Sequence, residues 1–430
     1  MAMDQSYIDQ IKRLMEWEAA RSAPPEGFPH LPDLPAGRYT SQEYYDLEQT
    51  YIWKKSWLFA AHKDEVPDPG CFMKWENAGQ PVIIVHGMDG QVRAFYNTCR
   101  HRGAPVVLKE MGRASRLICP YHNWTYKTDG ELIGVTDAQD FPNLDKSCRN
   151  LIPVRCEMFG NLVFVNFDEA AMSLLEWMGP IADEWAEFQF DKIKLASRHC
   201  FELNCNWKVA MEANMEVYHV PFIHPETVAP LVDHRRNVNT IYPNGHARML
   251  APGPANTNRE HMRLIDSPPE WHEIDTVGEL GRTCTQSYTM FPNWVSPLSN
   301  YFVPPLIFWP TGLNTTRLEL ITMALDWGDG PTPNLWTLND GKKLSPVIAE
   351  DTQFGEAIQK SMESDGFKSV PLSYQEARIY SFHQSCDKMI GLDNVPGHLA
   401  VAQVIGDDWT YPNDPRVAQM NAQATALAAV

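Results

Sequence analysis

Two short segments of the chain, TCRHRG and CPYHNW, each place one cysteine close to one histidine. Together they give C-x-H, seventeen residues, then C-x-x-H, with Cys99, His101, Cys119 and His122 as the four candidate ligands. A structural zinc finger normally has both cysteines first and both histidines second. The interleaved order instead suits a two-iron cluster with both cysteines on one iron and both histidines on the other, the Rieske arrangement. Zinc is the alternative.

The ligand set of such a cluster has a consequence for its chemistry. Replacing two thiolates by neutral imidazoles raises the reduction potential of the cluster, so that it can accept electrons from an ordinary ferredoxin and pass them on. The four residues therefore predict an electron-transfer centre.

A second candidate site lies in EVYHVPFIH, residues 216–224. On an unbroken helix, residues five apart point about 140° away from each other. We therefore predict that a helix ends just after His219, and that Pro221 stops it and lets the chain bring His224 back. Glu216 would share a helix face with His219. Taken alone, two histidines at this spacing are more often structural than metal-binding.

Three regions of different texture follow one another along the chain. Residues 1–56 are predicted to be helical at both ends of a proline-rich crossing. Residues 57–167 contain short strand-like runs, with a hairpin from Gly87 to Gly90. Residues 168–430 mix helices, one capped by Asn206 and one opened by Ser345-Pro346, with strand-like runs that do not alternate as βαβ. The pattern predicts an α+β fold with an antiparallel sheet.

The cysteine-histidine loops closely resemble the Rieske domain of the large (α) subunits of Rieske non-haem iron oxygenases. The resemblance extends to the residues that follow the ligands: Pro120, Tyr121, Trp124, Tyr126 and Asp129-Gly130. It implies a [2Fe-2S] Rieske cluster whose inner iron is held by Cys99 and Cys119, and whose outer iron is held by His101 and His122.

The string NWKVAMEANMEVYHVPFIH, residues 206–224, resembles the catalytic signature of the same family. The resemblance implies that His219 and His224 hold a mononuclear Fe(II) together with one carboxylate, leaving positions open for O₂ and substrate. Spacing cannot identify that carboxylate. The later string EDTQFGEAIQ resembles the family's iron-binding segment and implies Asp351 as the third ligand, with Glu350 as the alternative.

The acid at position 216 has its own role in the family. Glu216 corresponds to the carboxylate that links the iron-binding histidine to a Rieske histidine of the neighbouring subunit, where many members have aspartate. Such a carboxylate fixes the tautomer of the imidazole and bridges two redox centres. The chain has Glu212-Ala213 where Glu-Asn is usual, so the roles of Glu212 and Asn214 stay open.

Family resemblance also implies the architecture. We expect an N-terminal helical segment, residues 1–56, packed on the catalytic domain, then a β-rich Rieske [2Fe-2S] domain, residues 57–167. Residues 168–430 would form a helix-grip (START-like) catalytic domain with a curved antiparallel sheet.

Composition excludes several other classes. The formal charge of -18 argues against a nucleic-acid partner, which requires clustered lysine and arginine. No apolar run is long enough to cross a membrane and no leader is evident, so a cytoplasmic location is expected. Nine cysteines scattered over 430 residues do not resemble a disulfide framework.

The implied activity is that of a terminal oxygenase that uses O₂ and electrons from NAD(P)H. The chain has no G-x-G-x-x-G after a strand and no plant-type ferredoxin spacing, so a separate flavin reductase, a ferredoxin, or both must supply the electrons. The resemblance implies a head-to-tail homotrimer, with or without a small β subunit.

The substrate is expected to be a small apolar or aromatic compound. We rank hydroxylation of an aromatic compound first, with cis-dihydroxylation ahead of monohydroxylation. The alternatives are oxidative N- or O-demethylation and, from a different class, a Rieske electron carrier fused to a ligand-binding domain. Arg235, Arg236 and Arg248 could meet a substrate carboxylate, although we expect them to face solvent.

Overall fold

The computed structural model describes residues 4–254 and 271–420. The chain divides into two compact units. One is Trp53–Trp177, and the other combines the chain before it with the chain from Met178 onward. The interval 57–167 assigned above to the Rieske domain lies inside the first of these units.

The segment before Trp53 is anchored by its first helix. An Asp4 side chain accepts a hydrogen bond from the Ser6 N–H and caps this helix, whose apolar side chains at helical spacing are buried against the sheet residues Val238 and Leu250. A proline-rich irregular stretch follows, as predicted, before two short helices. The elements are α1 Gln5–Ala20, β1 Leu34–Pro35, α2 Gly37–Thr40 and α3 Gln42–Leu47.

The unit Trp53–Trp177 is built almost entirely from short antiparallel strands. A seven-stranded sheet has the order β2-β11-β10-β5-β4-β3-β6, and β7, β8 and β9 form a smaller one. The predicted hairpin joins β4 to β5, with Gly90 at a φ of 84°. The elements are α4 Trp53–Lys55, β2 Leu58–His62, β3 Cys71–Trp75, β4 Val82–His86, β5 Val92–Tyr96, β6 Met111–Arg113, β7 Arg116–Ile118, β8 Thr125–Lys127, β9 Leu132–Gly134, β10 Pro153–Phe159, β11 Leu162–Asn166 and α5 Leu174–Met178.

The other unit is an antiparallel sheet with helices. Within the described residues the sheet order is β12-β19-β18-β16-β15-β14-β13, with β17 paired to β19. This confirms the predicted α+β fold class. The elements are α6 Pro180–Trp185, β12 Lys194–Leu203, α7 Trp207–Glu212, α8 Val220–Ile223, β13 Val238–Ile241, β14 Ala247–Pro252, α9 Glu279–Thr283, β15 Cys284–Met290, β16 Trp294–Leu298, β17 Phe302–Val303, β18 Leu306–Gly312, β19 Thr315–Ala324, β20 Thr337–Leu338, β21 Lys343–Leu344, α10 Pro346–Thr352, α11 Gly355–Met362, β22 Ser369–Val370 and α12 Ala377–Ile390.

The helix predicted to run into His219 ends earlier than expected. The Asn206 side chain caps α7 as predicted, but α7 stops at Glu212. Pro221 lies in the first turn of the one-turn helix α8, where its missing N–H is not needed. The proline therefore begins a helix instead of ending one, and His219 and His224 are the residues that flank it.

Candidate metal centres and substrate pocket

His219, His224 and Asp351 meet in the catalytic unit. One donor atom from each lies within 4.8 Å of the other two. Within residues 4–254 and 271–420, this is the one group of three or more histidine, cysteine, aspartate or glutamate residues with donor atoms this close together. The Asp351 Oδ1 atom lies 2.7 Å from His224 Nε2 and 3.5 Å from His219 Nε2. Two imidazole nitrogens and one carboxylate oxygen on one side of a site are the donor set that non-haem Fe(II) takes. The residues present therefore fit a mononuclear iron.

Each of the two imidazoles is held by a second carboxylate. The Nδ1 atom of His219 contacts Glu216, and the Nδ1 atom of His224 lies 2.6 Å from Glu350 Oε2. An N–H at Nδ1 that donates to a carboxylate leaves the lone pair on Nε2, which is the nitrogen facing Asp351 in both rings. The carboxylates thus set the tautomer that a metal requires.

Glu350 and Asp351 are neighbours on α10 but have different partners. Successive residues of a helix point about 100° apart. Glu350 accordingly accepts from the Nδ1 atom of His224 and from the Thr227 hydroxyl, each at 2.6 Å. Asp351 instead faces the Nε2 atoms of His219 and His224. The geometry favours Asp351 over Glu350 as the third ligand.

The charges of this group are coupled. Burial disfavours protonation of His219, but hydrogen bonds with Asp351 and Glu216 outweigh it and raise the pKa of His219 to about 10. The pKa of His224 is also raised against burial by Asp351, and the two histidines lower the pKa of Asp351 although burial opposes this. Because metal ligation requires neutral imidazole, metal uptake must release protons.

Glu216 lies in the irregular segment between α7 and α8. Its carboxylate accepts from the backbone N–H groups of Tyr218 and His219, as well as contacting the His219 ring. Tyr218, two residues further on, and Phe222, on α8, are 56% and 76% exposed. Glu216 is therefore fixed in a segment that presents two exposed aromatic residues.

Glu212 and Asn214, whose roles the sequence left open, do not bind the histidines of this group. Glu212 accepts hydrogen bonds from the Tyr39 hydroxyl at 2.9 Å and from His383 Nε2 at 2.8 Å. Burial raises the pKa of Glu212 to about 8. Asn214 lines the cavity described below. Glu212 therefore belongs to a buried polar network that local sequence patterns cannot predict, because its partners come from both ends of the chain.

In the unit Trp53–Trp177, the four cysteine and histidine residues form two pairs. The Nδ1 atoms of His101 and His122 lie 3.1 Å apart, and both rings are partly exposed. Cys99 and Cys119 are 3% and 1% exposed and lie within the apolar core of the unit. Inner thiols and outer imidazoles are the donor set of a Rieske cluster, so these residues fit that group.

Aromatic residues after the ligands support the two loops. The ring of Trp124 stacks on His101 with 4.8 Å between centroids. The Tyr126 hydroxyl lies 3.3 Å from Cys99 Sγ and accepts from the Arg100 N–H at 3.0 Å. Tyr126 thus ties the first loop to β8.

A cavity of about 160 Å³ opens beside His219, His224 and Asp351. Glu216 and Asn214 also line it. Most of the remaining wall is apolar and includes Met249, Val295, Phe302, Leu306, Trp336 and Ile348. The cavity meets the iron-type site at its polar end, which is the expected position of a substrate pocket.

None of the three arginines considered for a substrate carboxylate is among the described lining residues. Arg236 pairs with Glu16, and Arg235 is exposed. The expectation that Arg248 faces solvent is wrong: it is fully buried and lies 2.9 Å from Glu184. A buried carboxylate partner offsets the cost of removing this guanidinium from water.

Comparison with known proteins identifies the family. The Rieske [2Fe-2S] domain matches residues 56–145, and the catalytic domain of ring-hydroxylating α subunits matches residues 190–392. The carnitine monooxygenase oxygenase subunit of Acinetobacter baumannii is 34% identical over 358 residues, covering 80% of this chain and 90% of that one. The chain belongs to the Rieske oxygenase α subunits. Membership implies a Rieske cluster and a mononuclear iron.

Other relatives of this Rieske oxygenase subunit match over a shorter span or only in fold. The glycine betaine monooxygenase oxygenase subunit of Pseudomonas aeruginosa is 31% identical over 206 residues, so the alignment spans about half of each chain, 47%. A solved quaternary ammonium Rieske monooxygenase has a TM-score of 0.68 at 24% identity, covering 86% of this chain and all of that one. Naphthalene 1,2-dioxygenase from Rhodococcus sp. has a TM-score of 0.67 at 20% identity, covering 90% and 98%. These two structures support the fold alone.

The relatives change the order of the predicted activities. Aromatic cis-dihydroxylation ranks first on the sequence motifs alone, but the relatives named above by sequence are monooxygenases of carnitine and glycine betaine. They favour the alternative, a Rieske monooxygenase. The signature motifs could not decide between the two because they record the metal ligands and not the pocket wall. Among the described residues, no helix has the length and apolar character needed to cross a membrane.

Proposed function

We propose that the protein is the terminal oxygenase component of a Rieske monooxygenase that oxidises a carbon next to the nitrogen of a small quaternary ammonium compound. The observation that carries the proposal is the group of His219, His224 and Asp351 at one end of a mostly apolar cavity. The relatives named above are monooxygenases of carnitine and of glycine betaine, and these two compounds indicate the class of substrate.

The metal-binding roles follow from the donor sets. Cys99 and Cys119 would hold the inner iron of the cluster, and His101 and His122 would hold the outer iron. His219, His224 and Asp351 would hold the mononuclear iron, which when bound would supply the activation of O₂. Glu216 and Glu350 orient the two imidazoles.

Electrons reach the two centres from outside the chain. A reductase that oxidises NAD(P)H, alone or through a ferredoxin, supplies them to the cluster. The exposed Tyr218 and Phe222, in the same segment of the chain as Glu216, suit docking of the Rieske unit of a second copy, as in a head-to-tail trimer. Glu216 would then connect His219 to a Rieske histidine of that copy.

The pocket wall suits a cation with methyl groups. Phe302 and Trp336 offer aromatic faces, which attract quaternary ammonium groups. Glu216 and Asp351 add negative charge, and no lysine or arginine is found among the described lining residues. The ammonium group would therefore be held with one of its carbons near the iron.

The proposed reaction balances with one O₂, two electrons and two protons. Hydroxylation of a methyl group on the ammonium nitrogen inserts one oxygen atom into a C–H bond, and the other oxygen leaves as water. The hydroxymethyl ammonium then breaks its C–N bond, releasing formaldehyde, a proton and the tertiary amine. Oxidation at another carbon on the nitrogen releases the corresponding aldehyde.

A second candidate is hydroxylation of an aromatic ring. The apolar wall would also accept a ring, and the α subunit of 2-aminobenzenesulfonate 2,3-dioxygenase from Alcaligenes sp. is 32% identical over 219 residues. Glycine betaine, carnitine and 2-aminobenzenesulfonate each carry a carboxylate or a sulfonate. An anionic group is therefore common to both candidate substrate classes.

The test uses the holoenzyme reduced anaerobically and then mixed with O₂ and a panel of these compounds. We expect two cluster irons and one further iron per chain, and an aldehyde plus an amine as products. A cis-diol product would transfer the assignment to the second candidate. If the wild type holds only the cluster irons, or if His219→Ala still turns over substrate, the oxygenase assignment fails and an electron carrier fused to a ligand-binding domain remains.

A further inference from the structure

Arg378 is a buried cation that lacks a counter-ion among the described residues. It lies in the first turn of α12 and is fully buried. Its Nη2 atom donates to the Thr289 hydroxyl at 2.5 Å, but Nε and Nη1 find no hydrogen-bond partner within residues 4–254 and 271–420. Buried polar groups are nearly always paired, so two open donors on one guanidinium require an explanation.

Three other buried arginines show how this chain normally treats such a group. Arg38 lies 2.7 Å from Asp387, Arg248 lies 2.9 Å from Glu184, and Arg416 lies 3.0 Å from Glu18. Each therefore has a carboxylate at contact distance. Arg378 differs from all three, although it is equally buried.

Arg378 lies behind the wall of the substrate pocket. Its partner Thr289 lies two residues after Ser287 on β15, so both side chains are on the same face of the sheet, and Ser287 lines the pocket. Val295, directly opposite Thr289 on β16, also lines it. The guanidinium thus lies one residue beyond the lining.

The charge of Glu216 reaches the same guanidinium. Burial lowers the pKa of Arg378 to about 9, and Glu216 is the group whose charge opposes this. Glu216 also lines the pocket and contacts His219. The cation is therefore within electrostatic range of Glu216, yet Glu216 is engaged by three N–H groups and does not pair with it.

We propose that Arg378 receives the anionic group of the substrate, a carboxylate or sulfonate, through its open N–H donors. The inference rests on the proposed function, because it takes the cavity beside His219 as the substrate pocket. A guanidinium is the side chain best suited to a planar carboxylate, and in a dry site such a pair is much stronger than in water. The substrate would supply the counter-ion that the described part of the chain does not provide, so only ligands with an anionic group would bind tightly.

The experiment compares matched ligands that differ in this one group. Anaerobic holoenzyme is titrated calorimetrically with glycine betaine against choline, and with 2-aminobenzenesulfonate against its sulfonamide. In at least one pair we expect the ligand that carries the carboxylate or sulfonate to bind about tenfold more tightly than the ligand that lacks it, which corresponds to about 1.4 kcal/mol. In R378Q that preference should disappear, and R378K should retain part of it. The exposed Arg235 provides the control, since R235Q should bind as the wild type does.

Thermal unfolding without ligand provides an independent measurement. Removing an unpaired buried charge does not destabilise a protein, whereas breaking a buried ion pair does. R378M should therefore melt at or above the wild-type temperature, while R38M should melt well below it. The proposal is overturned if no anionic probe is preferred, if R378Q keeps the preference, or if R378M loses as much as R38M, which would show a counter-ion within the protein.

The outcomes separate this inference from the proposed function. Binding that depends on Arg378 without aldehyde formation would keep the anion site and reject the demethylating activity. Aldehyde formation with unchanged affinity in R378Q would keep the demethylating activity and reject the anion site.

Discussion

Replacing each of the two neighbouring acids of α10 by its amide tests which of them binds the iron. Glu350→Gln and Asp351→Asn each remove one charge while keeping the size of the side chain. Glu350 contacts the Nδ1 atom of His224 from outside the site, and Asp351 contacts the Nε2 atoms from inside. We expect Asp351→Asn to abolish iron binding and Glu350→Gln only to weaken it.

The expected size of the second effect follows from the contacts of Glu350. A glutamine oxygen can still accept from His224, but the interaction loses its charge, and with it part of the raised pKa of His224. Loss of an outer partner of a metal ligand typically costs about 10 to 100-fold in affinity, or about 1.4 to 2.7 kcal/mol. Loss of the anionic ligand itself removes one of three donors.

The assay is the Fe(II) affinity of the mononuclear site, measured by competition with a chelator. The visible spectrum of the Rieske cluster serves as an internal control, since its candidate ligands belong to the other unit. Glu356→Gln is the matched control variant, because Glu356 lies on α11 and contacts Asn204 instead of a histidine. If Glu350→Gln loses iron as completely as Asp351→Asn, or if Asp351→Asn retains it, the assignment of the two acids is wrong.

Three further predictions address other parts of the chain. Glu216→Ala, loaded with excess Fe(II), should keep both metal centres but lose turnover, seen as slow reoxidation of the cluster by O₂ in stopped flow; normal turnover would exclude the bridging role. Tyr126→Phe removes a hydrogen bond to Cys99, which favours the more negative reduced cluster, so its midpoint potential should fall by roughly 40 mV, for a bond worth about 1 kcal/mol; an unchanged potential would contradict this. Glu212 has a pKa raised from 4.5 to about 8, so its burial costs the wild type stability progressively across that window. The free energy of unfolding of Glu212→Gln, measured in denaturant melts, should therefore rise relative to that of the wild type by up to about 1.4 kcal/mol per pH unit between pH 5 and 8. A difference that does not change with pH would refute this prediction.

The sequence predicted those features that depend on nearby residues. The hairpin at Gly87 to Gly90, the cap at Asn206 and the α+β character all follow from local patterns, and the structure confirms them. The prediction that Pro221 ends a helix was wrong, and the cause is also local. A proline is equally compatible with the end of one helix and the first turn of the next.

Other features depend on contacts that spacing does not encode. Asp351 was indicated only by family resemblance, since it lies 127 residues from His224 along the chain. The pairing of Arg248 with Glu184 and the isolation of Arg378 are decided by which side chains the sheet and α12 bring together. No pattern within either segment distinguishes a paired buried arginine from an unpaired one.

The insertion of Trp53–Trp177 between two parts of the other unit has a consequence for biosynthesis. Arg38 and its partner Asp387 are 349 residues apart, so the ribosome needs roughly 17 to 70 s to deliver the second after the first. The inserted unit is complete before that interval ends and can fold, whereas the helices before Trp53 lack their partner helix α12 until it has been synthesised. A nascent chain stalled before residue 377 should therefore carry a protease-resistant Rieske unit beside unprotected flanking segments.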